Sequence, residues 1–321
     1  MKHPVYLSHC QHLAVFDVAG ADARSFLQSQ LTQDVANVRT DQAAIAGFCT
    51  AQGRLWASML LTTNQSIDSI SAIVRHDLLE SFLKRLKMFV LRSKVTIERQ
   101  ASTQILGIEL HCDDLAAFAE LWGTTLSNTP WSSSTAALGR LVQLPAAQAN
   151  LVRYLVILQQ DQVAPFQALL GSALVLRPQA NVWQALDIKN GLPWVEAATQ
   201  DLFIAQTLNL DLIGGVSFTK GCYPGQEVVA RAHYRGTVKR RMHLARLTGD
   251  HGQITAASDV FASDDPQSPV GRVINLATED DGVTWILFEA PFKAIGSPLH
   301  VASANGPALL IEPLPYALAD E

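Results

Sequence analysis

Strand-like and helix-like patterns alternate irregularly along the first 180 residues, and this order constrains the fold more than any other feature. Residues 43–50 and 55–62 are apolar segments joined by a turn at Gln52-Gly53, which predicts a β-hairpin. Apolar residues spaced three and four apart predict an amphipathic helix over residues 76–88. Because a hairpin joins antiparallel strands, this mixture favours an α+β fold over a doubly wound parallel sheet.

The pattern changes after about residue 240, where helical periodicity disappears. Short β-type segments follow, separated by Gly, Pro, Asp and Ser, at residues 243–247, 270–274, 284–288 and 308–311. This spacing predicts a small antiparallel barrel or sandwich. Residues 123–138 are rich in Ser and Thr, and we expect them to form a loop.

Composition and charge exclude several classes of protein. The 321 residues are 48% apolar and 17% charged, which is typical of a folded chain of two or three domains. The net charge of −5 argues against a protein that coats nucleic acid. No apolar run approaches the roughly 20 residues needed to span a bilayer. Polar residues interrupt any N-terminal secretory signal, so we expect a cytoplasmic protein without a membrane partner.

The cysteines and histidines predict neither a cluster nor a metal site. The chain has four cysteines and no CxxC pair, which excludes a zinc ribbon and a thioredoxin-type motif. The nine histidines are scattered and include no HxxxH pair, so no metal ligand is assigned.

The segment from Lys220 to Arg231, with the sequence KGCYPGQEVVAR, is the most informative part of the chain. Pro224 suits the first turn of a helix, and Glu227 would then lie where the helix dipole favours a carboxylate. Cys222 would precede this helix, two residues from Lys220. The helix dipole and the ammonium both favour a thiolate, so we expect a reactive thiol.

Basic residues dominate the segment 220–241, with six Lys or Arg against one Glu. This local charge of +5 would attract an anionic ligand or partner. Two alternatives remain open for individual side chains. Gln226 and Glu227 either contact a ligand or cap the helix that holds the Cys222 loop. Arg231 either binds a carboxylate or pairs with Glu227 four residues earlier.

The pattern Lys-Gly-Cys-Tyr-x-Gly-Gln-Glu followed by Val-Val-Ala-Arg resembles the YgfZ family, folate-binding relatives of the glycine-cleavage aminomethyltransferase. The resemblance covers most of the chain. Its other matching segments are Gly20-Ala21-Asp22, Phe26-Leu27-Gln28, Gln52-Gly53-Arg54, residues 89–95 and Ile311-Glu312-Pro313-Leu314-Pro315-Tyr316.

The resemblance implies a three-domain, aminomethyltransferase-like ring around a central cavity that takes tetrahydrofolate, with a C-terminal antiparallel β-barrel. The folate-binding α+β domain would comprise residues 1–100 and 181–240. A second α+β domain would span residues 101–180, and the barrel residues 241–321.

The resemblance also implies the function and the site. Such proteins support iron–sulfur enzymes, among them a radical enzyme that methylthiolates tRNA. Whether this chain has turnover of its own stays open; if it has, we expect a folate-dependent transferase. Cys222 would be the functional thiol and Lys220 its partner. The residues expected to bind folate are Trp183, Asp187, Tyr223, Gln226, Glu227 and Arg231, with a core position as the alternative for Trp183.

Three departures from related proteins bear on this interpretation. Leu13 lies where some relatives have an aromatic residue, and Lys189 replaces a common carboxylate, so Asp187 would have to substitute. Residues 54–67 contain no Asp or Glu, although the aminomethyltransferase has acidic residues after this turn. Without these acidic residues, aminomethyl transfer would lack its acid–base group. A folate-dependent one-carbon transferase remains the alternative function.

Direct tRNA binding is a third hypothesis. Basic residues within 84–99 and 235–241 would supply the phosphate contacts. The net charge of −5 weakens this hypothesis, because phosphate contacts supply most of the nonspecific affinity for nucleic acid.

Overall fold

The computed structural model describes residues 1–63, 68–177, 181–234, 238–248 and 254–318. These residues form seventeen β-strands and six α-helices. The strands are β1 Val5–His9, β2 Leu13–Ala19, β3 Ala44–Cys49, β4 Leu55–Thr63, β5 Ser69–Arg75, β6 Thr96–Arg99, β7 Thr103–His111, β8 Ser133–Ala136, β9 Gly139–Leu144, β10 Leu151–Gln159, β11 Leu174–Arg177, β12 Arg240–Thr248, β13 Asp259–Ala262, β14 Asp265–Thr278, β15 Val283–Pro291, β16 Leu299–Val301 and β17 Leu310–Glu312. The helices are α1 Ala23–Gln28, α2 Leu79–Lys87, α3 Leu115–Trp122, α4 Val163–Leu170, α5 Asn181–Lys189 and α6 Gln226–Tyr234.

Three sheets contain these strands. The first has the order β11-β1-β7-β10-β9-β8, in which only the β11–β1 pair is parallel. The second has the order β3-β4-β5-β2-β6, and the third β16-β13-β14-β15-β12-β17. Antiparallel pairing with helices between strands confirms the predicted α+β fold class.

Most predicted elements are found close to their expected positions. The hairpin consists of β3 and β4, and its turn contains Gly53 at φ 74°. The amphipathic helix is α2, preceded by a 3₁₀ turn at His76–Leu78. Its apolar stripe, including Phe82 and Leu86, is buried. Apolar periodicity located these elements because each buries one regular face.

The loop predicted for residues 123–138 was partly wrong, because it contains strand β8. This strand is half-buried, and it pairs with β9 at the edge of the first sheet. A short polar edge strand lacks the alternating apolar pattern by which the other strands were located.

The chain divides into two compact units. The first contains Met1–Leu27, Val35–Ala44 and Leu60–Trp183, and the second contains Gln28–Asp34, Ile45–Met59 and the chain from Gln184 onwards. The predicted three-domain division, with boundaries at residues 100, 180 and 240, stays a prediction.

Each unit has a hydrophobic core of its own. In the first unit, apolar side chains of β1, β7, β9 and β10 pack against α3 and α4. In the second, strands β12 to β16 surround a core that includes Phe288 and Val260. This C-terminal sheet confirms the predicted antiparallel β-strands. No helix among the described residues has the length and apolar character needed to cross a bilayer.

Candidate functional site

The loop that carries Cys222 lies in the second unit, between residue 216 and helix α6. Cys222 is exposed, whereas Cys10 and Cys49 are buried and Cys112 is intermediate. A Cβ added at the neighbouring Gly221 would meet no atom within 4 Å. The thiol therefore lies on an open part of the surface, where a reagent or partner can reach it.

Two glycines hold this loop against the turn between β3 and β4. Gly225 has a φ of 79°, and an added Cβ would lie 2.4 Å from the Thr50 carbonyl oxygen and 2.6 Å from Gly53 Cα. Gly53 is equally crowded, because its Cβ would lie 2.7 Å from Cβ of Val228. Only glycine permits this backbone approach at a positive φ. Two segments of the resemblance, far apart in sequence, are thus in direct contact.

Helix α6 begins at Gln226, two residues later than Pro224, where the first turn was expected. The positive φ of Gly225 is incompatible with a right-handed helix, so the helix cannot include it. Gln226 Oε1 accepts a hydrogen bond from the Tyr223 backbone N–H at 3.2 Å. This contact corresponds to the loop-holding interpretation of Gln226, and ligand contact stays a prediction.

Lys220 holds the other end of the loop. Its Nζ donates hydrogen bonds to the carbonyl oxygens of Gln28 and of Leu31, the latter at 2.6 Å, and lies 5.1 Å from the ring centroid of Tyr223. Burial lowers the pKa of Lys220 to about 8, while Asp34 acts in the opposite direction. The ammonium is therefore directed at backbone carbonyls, which was not foreseen, and its predicted partnership with Cys222 stays a prediction.

Tyr223, the residue after the exposed cysteine, points into the protein. It is buried, and burial and the nearby Cys49 thiol both raise its pKa. Burial also raises the pKa of Cys49 to about 12. Cys49 is therefore a protonated, structural thiol at neutral pH.

The basic segment is less positively charged in effect than its sequence suggests. Arg241 is buried, and its Nη1 lies 2.6 Å from Asp211. Arg240 pairs with Glu289. Arg235 lies outside the described residues. Two of the six basic side chains are thus paired with carboxylates of the protein. A ligand would therefore meet less positive charge than the +5 expected from the sequence of this segment.

Glu227 and Arg231 both lie exposed on α6, and Glu227 is in the first turn as predicted. Neither forms an ion pair within the described part of the chain, so the suggested Glu227–Arg231 pair is not formed. Both charged groups are therefore accessible to a ligand, and folate contact stays a prediction for each.

Asp187, on helix α5, is buried in the second unit. Its Oδ2 accepts a hydrogen bond from Trp194 Nε1 at 3.0 Å. The indole of Trp194 thus occupies one oxygen of the carboxylate that was expected to contact a pterin. Sequence reasoning missed Trp194, because α5 ends at Lys189 and no periodic pattern links the later tryptophan to Asp187.

Trp183 belongs to the first unit and is 1% exposed. Its indole lies directly against Gly107 of β7, where an added Cβ would come within 2.2 Å of the ring. The guanidinium carbon of Arg153 lies 4.5 Å from the ring centroid. Its Nε1 has no hydrogen-bond partner among the described residues. Stacking of a pterin needs an open ring face, so it would require a neighbouring side chain to move.

A cavity of about 490 Å³ opens beside the turn that contacts the Cys222 loop. Gln52, Arg54 and Val228 line one side, and charged residues of the C-terminal sheet line the other. Among those charges, Arg272 Nε lies 3.0 Å from Asp259. The cavity is lined by both basic and acidic side chains, so it suits a polar ligand that has both hydrogen-bond donors and hydrogen-bond acceptors.

The arrangement in the second unit can do one kind of chemistry with its own residues. An exposed thiol on a loop fixed at both ends can attack an electrophile or donate a ligand to a metal cluster. One cysteine supplies one cluster ligand, so a cluster bound here would need other thiols from a partner.

Comparison with known proteins places these features in context. No protein-family model matches the chain. The tRNA-modifying protein YgfZ of Yersinia pseudotuberculosis serotype IB (strain PB1/+) is 32% identical over 328 residues, which cover 99% of this chain and 94% of that protein. The protein of the same name from Yersinia enterocolitica is 30% identical over 327 residues, with the same coverage.

A solved structure shows the same fold. Glycine cleavage system aminomethyltransferase T from Bartonella henselae superposes with a TM-score of 0.75 at 14% identity, covering 98% of this chain and 86% of that one. This likeness confirms the predicted aminomethyltransferase-like fold.

Proposed function

Because the chain belongs to the family of tRNA-modifying proteins named YgfZ, we propose that it supports tRNA modification as a tetrahydrofolate-binding accessory protein. Its partners would be iron–sulfur enzymes of the cytoplasm, such as a radical tRNA methylthiotransferase. The names of its relatives support the link to tRNA modification, and the resemblance described above supports the link to folate and iron–sulfur clusters.

The exposure of Cys222 is the observation that carries the proposal. The loop holds the thiol at the surface, while Lys220 and the contact between Gly225 and Gly53 fix both of its ends. A thiol held in this way reaches a partner with little loss of conformational entropy. Cys222 would therefore act on the partner or on a folate adduct, while the rest of the loop positions it.

The effect of Cys222→Ala on tRNA tests this role. In cells that depend on this protein, the substitution should reduce methylthiolated tRNA nucleosides to the level of cells without it. Cys112→Ala is the matched control, because Cys112 is a partly exposed cysteine in the other unit. It should leave the modification unchanged. Full modification with Cys222→Ala would refute the role of the thiol.

Folate binding is tested separately, by ultrafiltration of the purified protein with tetrahydrofolate. Since Trp183 is buried, Trp183→Ala would open a cavity at a cost of about 3–5 kcal/mol, so Trp183→Phe is the better variant. Weaker retention by Trp183→Phe than by wild type is expected, and Trp285→Phe, in the C-terminal sheet, should retain folate normally. Equal retention by all three proteins would exclude Trp183 from the folate site.

A folate-dependent one-carbon transferase is the second candidate, and the fold of the aminomethyltransferase favours it. The absence of Asp and Glu from residues 54–67 argues against that mechanism, because no carboxylate follows the hairpin turn. Steady conversion of methylene-tetrahydrofolate by the purified protein would establish this alternative. Its absence, together with folate retention, would favour the accessory role.

A further inference from the structure

Two histidines and an aspartate converge at one end of the first unit. One nitrogen each of His3 and His111 and one carboxylate oxygen of Asp113 all lie within 4.8 Å of one another. The two imidazole rings stack with centroids 4.1 Å apart. These side chains are outside the Cys222 loop, and neither the family nor the proposed function assigns them a role.

A buried carboxylate orients the first histidine. Asp114 is 2% exposed, and its Oδ2 lies 2.9 Å from His3 Nδ1. The backbone N–H groups of Lys2 and His3 also donate to Asp114, at 2.6 and 2.8 Å. If His3 Nδ1 carries the proton of this contact, Nε2 keeps the lone pair that a metal needs. A carboxylate behind a ligand histidine is the usual second shell of a metal site.

The distance between His111 and Asp113 suits two ligands of one metal ion. His111 Nδ1 lies 3.4 Å from Asp113 Oδ2. Two ligands at about 2.0–2.2 Å from a tetrahedral zinc ion are roughly 3.3–3.5 Å apart. The Asp113 backbone N–H donates to His111 Nδ1 at 3.3 Å, so this nitrogen carries a lone pair and no proton, and a metal ion bound there would replace this hydrogen bond.

The fold brings these residues together although they are distant in sequence. Strand β1 pairs with β7, and β7 ends at His111, so His3 lies near the end of that strand. The 3₁₀ turn Cys112–Asp114 then places Asp113 beside His111. The side chains of His3 and Asp113 are 41% and 63% exposed, so they can rotate towards an ion without disturbing the core.

We propose that His3, His111 and Asp113 bind a divalent transition-metal ion of the Zn²⁺ class. Two imidazoles and one carboxylate are ligands that zinc accepts, and they leave a fourth position for water or another ligand. Asp114 would act as a positioning residue, because it touches His3 and not the ion.

Equilibrium dialysis against Zn²⁺ tests the site, with chelator-treated protein that carries no histidine tag. The parent for all variants is Cys222→Ala, so that the exposed thiol contributes no binding. We expect about one ion per chain, and an affinity at least about tenfold lower in His3→Ala and in His111→Ala. His76→Ala, which removes another exposed histidine of the same unit, should bind as the parent does.

Two further measurements guard against loss of folding in the variants. Asp113→Asn changes an exposed side chain and should weaken binding while the circular dichroism spectrum stays that of the parent. In the unmodified parent, Zn²⁺ should shift the ring resonances of His3 and His111 and leave those of His76 in place. Absence of binding by the parent would overturn the site, as would unchanged affinity in both histidine variants.

Discussion

Lys220 is partly buried, yet its ammonium group donates hydrogen bonds to two backbone carbonyls. Burial lowers its pKa to about 8, so at neutral pH the ammonium is still protonated and able to donate to Gln28 and Leu31. In the unfolded chain the same group would have a pKa near 10.5. Between these two values the unfolded chain binds more protons than the folded one, so this group makes stability rise with pH.

Lys220→Met should remove that dependence. The difference in free energy of unfolding between wild type and variant should rise from about pH 8 to 10.5, because only the wild type has the lysine with the lowered pKa. The contributions of the other titrating groups, which both proteins share, cancel in this difference. Urea denaturation across this range measures it. An identical pH dependence in both proteins would contradict the lowered pKa of Lys220.

His243 should make the protein sensitive to acid. Burial lowers its pKa to about 4, although a hydrogen bond involving the Ala290 backbone acts in the opposite direction. Since the unfolded pKa is near 6.5, the unfolded chain takes up a proton first as pH falls. Stability should therefore be lost between about pH 6.5 and 4, by up to about 3 kcal/mol.

His243→Gln removes the titrating group and should reduce this loss in denaturation measured at neutral and acidic pH. His12, whose pKa is lowered to about 3 by burial and by Arg75, is retained in the variant, so the variant should still lose stability in acid, but less than the wild type. A variant that loses as much stability in acid as the wild type would rule out the contribution of His243.

For single residues, the sequence predicted only what local chemistry decides. It placed Cys222 just before a helix, as the structure has it, whereas the reactivity of its thiol stays a prediction. The bonds of Lys220 could not be predicted, because the acceptor carbonyls are 189 and 192 residues away in the chain. The close approach of Trp183 to Gly107 could not be predicted either, because a glycine in a strand does not indicate which side chain packs on it.

At the scale of elements, the contact between the β3–β4 turn and the loop before α6 decides how the cysteine is presented. Both partners are glycines with positive φ, and the backbones meet without intervening side chains. Contact of this kind has no tolerance for an added methyl group.

Gly225→Ala should therefore destabilise the protein by about 1–3 kcal/mol or more, because of its positive φ and the clash with the Thr50 carbonyl. Chemical denaturation measures this cost. Gly221→Ala is the control from the same loop, and an open position should cost less than about 0.5 kcal/mol. Similar costs for both variants would disprove the docking role of Gly225.

Elements were predicted best where a regular apolar face exists. Helix α2 and the β3–β4 hairpin bury such faces, and their positions were foreseen closely. The polar edge strand β8 has no such face, and the start of α6 depends on the φ of Gly225, which the sequence does not specify. Periodicity therefore predicted the core elements, while tertiary contacts set the edges and ends.

For the whole molecule, the proposed ligand should stabilise the folded state. A ligand that binds only folded protein adds about 2.7 kcal/mol when its concentration is 100 times its Kd. Tetrahydrofolate should thus raise Tm in a concentration-dependent way, and equally in Cys222→Ala if the thiol is not needed for binding. An unchanged Tm at saturating tetrahydrofolate would count against folate as the ligand.

The fold class followed from the order of elements, whereas the grouping of distant residues did not. Sequence spacing offered no reason to combine His3 with His111 and Asp113, because strand pairing between β1 and β7 creates that neighbourhood. The metal site was therefore absent from the sequence-based expectations.

The two hydrogen bonds of Lys220 join parts of the chain that leave the ribosome at different times. At about 5–20 residues per second, the 192 residues between Gln28 and Lys220 correspond to roughly 10–40 s of translation. During that interval the segment around Gln28 has emerged while the lysine has not yet been synthesised. Cys222 therefore acquires its final position late in biosynthesis, and a chain truncated before residue 220 would contain the whole first unit but neither Lys220 nor Cys222.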